Sequence, residues 1–148
     1  MKIIKTEKDD LPAILSLQKR AYQSEAQLVN DFSIAPLTET LEGITDHFDK
    51  CLILKAVEQD NDIIGSVRGF FSGGTLYIGR LIVDPSFQNK GIGTNLLLNI
   101  EAMYPRARYE LFTSDRSVKN LSLYIKNGYK EFKREPLNEH VSFIFLEK

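Results

Sequence analysis

The sequence predicts a mixed α/β domain. Three observations point to it. Strand-like and helix-like segments follow one another without strict alternation. Gly73-Gly74 joins two apolar runs at hairpin spacing. A glycine-rich turn, Gln88 to Thr94, links a buried strand to an amphipathic helix. Helices that interrupt the strand order, instead of alternating with strands, imply a mixed sheet in an α/β or α+β domain. The 148 residues suffice for one domain, 1-148, and are too few for two of ordinary size.

The elements follow in order. Lys2 to Lys5 reads as a short first strand. Asp9 or Asp10 caps a helix that tolerates Pro12 in its first turn. Leu11, Ile14, Leu15, Gln18, Ala21 and Tyr22 keep helical spacing, so that helix should run to about Gln23. Ser24 to Pro36 has weaker periodicity and is expected to contain a loop. Leu37 to Phe48 reads as a second helix, with Leu41, Ile44 and Phe48 on one face. Cys51 to Glu58 is a strand, Asn61-Asp62 a turn, and Ile63 to Phe71 the next strand. The Gly73-Gly74 turn leads into Thr75 to Val83, apolar on both faces and therefore expected at the centre of the sheet. Asp84-Pro85 ends it. A helix from the glycine turn to about Tyr104 is stopped by Pro105. Arg108 to Thr113 is a strand, and Ser117 to Lys126 a short helix ended by Asn127-Gly128. Tyr129 to Lys133 and Val141 to Leu146 complete about seven strands and about four helices.

Composition excludes several classes. A formal net charge of -1 gives no bulk electrostatic drive toward nucleic acid. No apolar run approaches membrane-spanning length. Met1 to Asp10 has no signal-peptide pattern, so the cytoplasm is the expected location. Cys51, the single cysteine, excludes an intramolecular disulfide and a multi-cysteine metal site, and as the start of a strand it is expected to be a small core residue. His47 and His140 lack metal-ligand spacing, so no metal is expected.

The turn Gln88-Asn89-Lys90-Gly91-Ile92-Gly93-Thr94 carries the chemistry. Glycines between a strand and a helix start leave backbone N–H groups unpaired at the positive end of the helix dipole, an anion site suited to a pyrophosphate. Counting residues rejects two familiar motifs. A P-loop needs two glycines separated by four residues, then Lys and Ser or Thr; here Lys90 precedes Gly91. A dinucleotide fingerprint needs a third glycine where the chain has Leu96.

Leu81-Ile82-Val83-Asp84-Pro85-Ser86-Phe87-Gln88-Asn89-Lys90-Gly91-Ile92-Gly93 instead resembles the acetyl-CoA motif of the GNAT (GCN5-related) N-acetyltransferases. Asn120-Leu121-Ser122-Leu123-Tyr124-Ile125-Lys126-Asn127-Gly128-Tyr129 is similar to the family's second cofactor motif. The element order fits that fold along most of the chain, most weakly over Ser24 to Asp46 and Arg134 to His140. Under this resemblance acetyl-CoA is the co-substrate. Gly91 and Gly93 let the backbone approach its pyrophosphate. The N–H groups of Gln88 to Thr94, including Asn89 and Ile92, face it, and the Thr94 hydroxyl adds a donor. Lys90 either supplies a charge or is a solvated lysine. Gly79 suggests a bulge or close ligand approach within its strand.

The resemblance further implies that backbone groups of Leu81 and Val83 pair with the pantetheine. An N–H near Leu81 or Ile82 would polarise the thioester. Asn120 would hold the pantetheine arm and Tyr124 would sit beside the sulfur. The implied reaction is direct acetyl transfer to a primary amine of a small molecule or peptide. A lysine-like amine near pKa ~10.4 must first lose a proton. Tyr124 is the expected catalytic donor to the leaving thiolate. An unperturbed Tyr at ~10 against a thiol at ~8.5 makes full proton transfer uphill by roughly 2 kcal/mol, so a hydrogen bond is the expected contribution. Glu25, Glu39, Glu58, Tyr77 and His140 are the candidate bases, and the sequence does not choose among them. A non-catalytic acyl-CoA-binding module and a generic nucleotide-binding domain are the alternatives. A homodimer is an expectation carried by similar proteins, with no apolar stripe in the sequence to establish it.

Overall fold

Short β-branched runs separated by turn residues give seven strands, which a computed structural model describing residues 1–148 joins into one sheet. They are β1 (Lys2–Lys5), β2 (Leu52–Val57), β3 (Ile63–Ser72), β4 (Thr75–Val83), β5 (Arg108–Ser114), β6 (Lys130–Pro136) and β7 (Ser142–Glu147). Their order is β1-β2-β3-β4-β5-β7-β6, with β4 central as its two apolar faces require. Every neighbouring pair is antiparallel except β4 and β5. Gly73 and Gly74 turn the β3–β4 hairpin at φ 57° and 81°, where side chains are strained.

Six helical segments accompany the sheet: α1 (Leu11–Ala21), α2 (Gln23–Val29), α3 (Ala35–Thr38), α4 (Leu41–Phe48), α5 (Ile92–Ala102) and α6 (Val118–Lys126). Two of them sharpen the sequence expectation. The loop expected within Ser24 to Pro36 is present at 30–34, but helix precedes it: Tyr22 keeps helical angles after α1, and α2 runs on until Asn30 turns left-handed at φ 54°. Only Ala26 of α2 is buried, so its sequence carries almost no apolar periodicity. The helix expected over Leu37 to Phe48 is two. Thr40 caps α4 by accepting from the Gly43 amide at 3.0 Å, which leaves Glu39 extended between α3 and α4.

The two faces of the sheet differ. On one, α5 and α6 enclose the main core, in which Val67, Leu76 and Ile78 meet Leu96, Leu97, Ile100 and Tyr124. On the other, α1 and α4 cover β2 through Leu11, Ile14, Ile44 and Ile53. Beyond them that second face lies open, and Phe112, 51% exposed, packs on Phe143 and Phe145 at centroid distances of 5.1 and 5.2 Å. This is an exposed apolar patch that the sequence conceals, because its residues come from separate strands. Cys51 is half-buried, not a core residue, with Sγ 3.9 Å from His47 Nδ1. No helix is long and apolar enough to cross a membrane, and no cluster of three metal-binding side chains is present.

Candidate active site

The site begins where the sheet comes apart. β4 pairs with β5 only through Thr75, Tyr77 and the Leu76 between them. From Ile78 to Val83 the edge of β4 that faces β5 has no strand partner, while β5 continues alongside β7. An unpaired strand edge inside a sheet is a row of free N–H and C=O groups, able to take an extended ligand as an added strand. Leu81, Ile82 and Val83 lie on it.

A bulge accompanies the split. Ser66 pairs with Ile82 but Arg68 pairs with Gly79, so β4 carries one extra residue between them. The sequence points to Gly79; the strained residue is its neighbour Arg80, at φ 50°. A Cβ on Gly79 would meet nothing within 4 Å.

After β4, the Asp84 side chain accepts from the Ser86 amide at 2.9 Å and starts a single 3-10 turn over Pro85–Phe87. Asn89 and Gly91 then take left-handed angles, φ 64° and 78°, on either side of Lys90, and α5 starts at Ile92. This folds successive N–H groups into a concave nest at a helix N-terminus, suited to an anion. Gly91 is required by its φ. Gly93 is not required by the protein: a Cβ there would make only ordinary contacts, 3.7 Å to Leu123 and 3.8 Å to Val83. Its missing side chain leaves room for something else.

The nest, the free edge of β4, α2 and α6 wall a cleft of ≈ 1310 Å³. Leu81, Ile82, Val83, Gln88, Asn89, Gly91, Ile92, Gly93, Thr94 and Asn120 all line it, so the structure gathers ten of the twelve residues expected at the site. Lys90 does not: its ammonium sits over the Phe87 ring, 5.2 Å from the centroid. The cations on the wall are Lys119 and Lys126, and Lys119 also donates to Gln88 Oε1 at 3.1 Å. Sequence reading missed both; their seven-residue spacing on one side of α6, with Asn120 and Leu123, was the signal.

Tyr124 lies behind the wall. It is 6% exposed, belongs to the main core, and holds its ring 6.0 Å from that of Tyr129. Burial first, then the neighbouring Tyr22 and the Glu25 carboxylate, push its pKa far above that of an ordinary tyrosine. It is therefore a neutral hydroxyl, fit to donate a hydrogen bond and unfit to ionise. Glu25 is the one carboxylate on the cleft wall. Its Oε1 accepts from Ser117 Oγ at 2.7 Å and from Asn120 Nδ2 at 3.1 Å, bridging α2 to α6. That orients Asn120 with its amide oxygen free for a donor in the cleft.

The other candidate bases are placed elsewhere. Glu39 is locked: Arg68 donates to both its oxygens at 2.9 and 3.0 Å, and Gln18 Nε2 donates to Oε1 at 2.9 Å. Burial alone would raise its pKa, but the hydrogen bonds from Arg68 and Gln18 and the charges of Arg68 and Arg80 hold it at about 2, too acidic to take a proton from an amine. Glu58 closes the β2–β3 turn, Tyr77 stands exposed on β4, and His140 lies between β6 and β7, where its carbonyl accepts from Arg116. Burial pushes the Cys51 thiol up, away from thiolate chemistry.

The family model described as the acetyltransferase (GNAT) family matches residues 11–129, from the start of α1 past the end of α6. The chain belongs to the GNAT acetyltransferase family. Solved structures agree on the fold. The PaiA N-acetyltransferase from Thermoplasma acidophilum, in complex with coenzyme A, superposes with TM-score 0.81 at 20% identity over 99% of this chain and 97% of that one. The ribosomal-protein-S18-alanine N-acetyltransferase from Escherichia coli gives TM-score 0.81 at 15% identity over 99% and 91%. The yncA structure from Salmonella typhimurium, with its cofactor acetyl-CoA, gives 0.77 at 15% identity over 100% and 92%. No curated protein matches this GNAT chain in sequence.

Proposed function

We propose that this GNAT acetyltransferase moves the acetyl group of acetyl-CoA directly to a primary amine of a small molecule or peptide. The observation that carries the proposal is the coincidence of the unpaired β4 edge with the backbone nest in one cleft. A long ligand with amides at one end and phosphates at the other fits that pair, and the unrequired Gly93 leaves space where they meet.

Each residue has a task. The N–H groups of Gln88 to Thr94 hold the pyrophosphate, with Lys119 and Lys126 supplying charge. Leu81 and Val83 pair with the pantetheine amides, and the Asn120 oxygen accepts from the same arm. A backbone N–H at Leu81 or Ile82 stabilises the transient oxyanion. Glu25, facing the cleft, accepts the proton that the ammonium must lose, directly or through one water. The new N–C bond forms as the C–S bond breaks. The products are the amide, the CoA thiol and one proton. Tyr124, held behind the wall next to the cleft residues Tyr22 and Glu25, turns its hydroxyl to the departing sulfur when the ligand is bound and donates a hydrogen bond without losing its own proton.

The first test is a thermal melt with acetyl-CoA, ATP and NAD. Acetyl-CoA alone should raise Tm. A rise with ATP or NAD and none with acetyl-CoA would remove the proposal. A transfer screen over polyamines, aminoglycosides, amino acids and N-terminal peptides then separates the enzyme from a binding module.

A further inference from the structure

Across β4 from the main core lies a second polar cluster that the acetyl-CoA site does not use. It joins Gln18 of α1, Glu39 between α3 and α4, Arg68 of β3 and Arg80 of β4. In a regular strand Arg80 would share the face of Ile78 and point into the main core. The extra residue of the bulge turns it to the opposite face, the face shared by the paired Arg68 and Gly79. A non-glycine residue held at φ 50° beside a ligand cleft is strain of the kind found at functional positions.

The charges there do not balance. Arg68 and Glu39, with side chains 9% and 8% exposed, form a forked ion pair that Gln18 completes by accepting from Arg68 at 3.3 Å and donating to Glu39. Both Glu39 oxygens are taken. Arg80 is left over. Its Nε lies 3.8 Å from Glu39 Oε1, beyond hydrogen-bond range, and is buried with no partner. Two guanidinium groups against one carboxylate leave one positive charge, with a planar fork of donors that matches a carboxylate. The side chain is 26% exposed, and beside it is the open space over Gly79.

The position fits the acceptor and not a CoA phosphate. Arg80 precedes Leu81, at the thioester end of the free edge. Three residues of strand, about 10 Å, separate it from Val83, and the phosphate nest lies further on. Tyr22 connects the two sides: it lines the acetyl-CoA cleft and lies within electrostatic reach of Arg80, Glu25, Arg68 and Glu39.

We propose that Arg80 anchors a carboxylate of the acceptor, so that the preferred substrates are amines bearing a carboxylate close to the amine, as in a free amino acid. The anchor holds the acceptor across the bulge with its amine toward Leu81 and Glu25. This rests on the acetyl-transfer function proposed above, and it selects within the amines that function allows.

The test uses the whole chain saturated with CoA. A panel of free α-amino acids and short dipeptides, each beside its C-terminal amide, is titrated by calorimetry, and acetyl transfer is measured on the same pairs. At least one acid should bind and react roughly 10- to 100-fold better than its amide, the range for a charge-assisted hydrogen-bond pair. Arg80→Gln should erase that ratio while acetyl-CoA affinity stays within about threefold. Equal acid and amide, or no carboxylate member bound, overturns the anchor even where acetyl-CoA binds normally. A preference that survives Arg80→Gln overturns it too. Absence of acetyl-CoA binding by the unmutated protein removes the proposed function itself, and is read in the same titrations before any acceptor is added.

Discussion

The end of the cleft proposed to take the phosphates is made of backbone, whereas the face across the β4 bulge is made of side chains. In the first, Asn89 and Gly91 at positive φ and the start of α5 aim N–H groups without help from distant residues. In the second, Gln18, Glu39, Arg68 and Arg80 come from four separate places in the chain; the first three hold one another by hydrogen bonds, and Arg80 stands beside them without one. A backbone site recognises what every acetyl-CoA shares. A side-chain site varies with single substitutions, so the acceptor anchor proposed at Arg80 belongs to this half.

Damage to the two halves should therefore differ in kind. The largest effect falls on the side-chain half. Glu39→Ala leaves Arg68 buried without its partner and should cost about 3–5 kcal/mol in chemical denaturation. The same pair sets an acid limit. Because the folded pKa of Glu39 is depressed from 4.5 to about 2, its contribution is complete above pH 4.5 and lost as pH falls toward 2. Denaturation midpoints measured across that window should drop in the native protein and flatten in Glu39→Gln. Next, Tyr124→Phe should lower kcat roughly 100-fold with acetyl-CoA affinity within about twofold, in steady-state kinetics and calorimetry. Unchanged turnover would end the assignment of Tyr124. Gly91→Ala, which forces a side chain onto φ 78°, should cost about 1–2 kcal/mol of stability and weaken acetyl-CoA together with it. Asn120→Ala should be mildest, near fivefold on the KM for acetyl-CoA, because it removes one hydrogen bond of several.

The same contrast explains how much was legible. Seven strands, the central place of β4 and the anion turn follow from local signals: two-residue alternation, Gly73-Gly74, and glycines between strand and helix. Ten of the twelve expected site residues meet in one cleft: nine lie within the strand-to-helix stretch 81–94, whose order fixes their place, and the tenth is Asn120 on α6. Lys90 points away because its neighbours Asn89 and Gly91 both take left-handed angles, which a sequence does not display. Gly79 marks the bulge in the sequence and Arg80, which takes the left-handed angle there, does not, because glycine advertises a bulge and arginine does not. The α3–α4 break that leaves Glu39 extended, within reach of Arg68 and Gln18, depends on Thr40 capping a helix inside one apolar-periodic run. Glu25 gains meaning only when Ser117 and Asn120, more than ninety residues away, close on it.

With acetyl-CoA bound along the nest as proposed, the ligand and not the protein demands the empty space at Gly93. Calorimetric titration of acetyl-CoA into the native chain and Gly93→Ala tests it directly. The protein makes only van der Waals contact at that Cβ position, so the variant should melt at the same temperature or slightly higher, a helix alanine being favoured by about 1 kcal/mol over glycine. Its acetyl-CoA affinity should nonetheless fall at least tenfold. Equal affinity in the two proteins would mean that acetyl-CoA does not lie against Gly93.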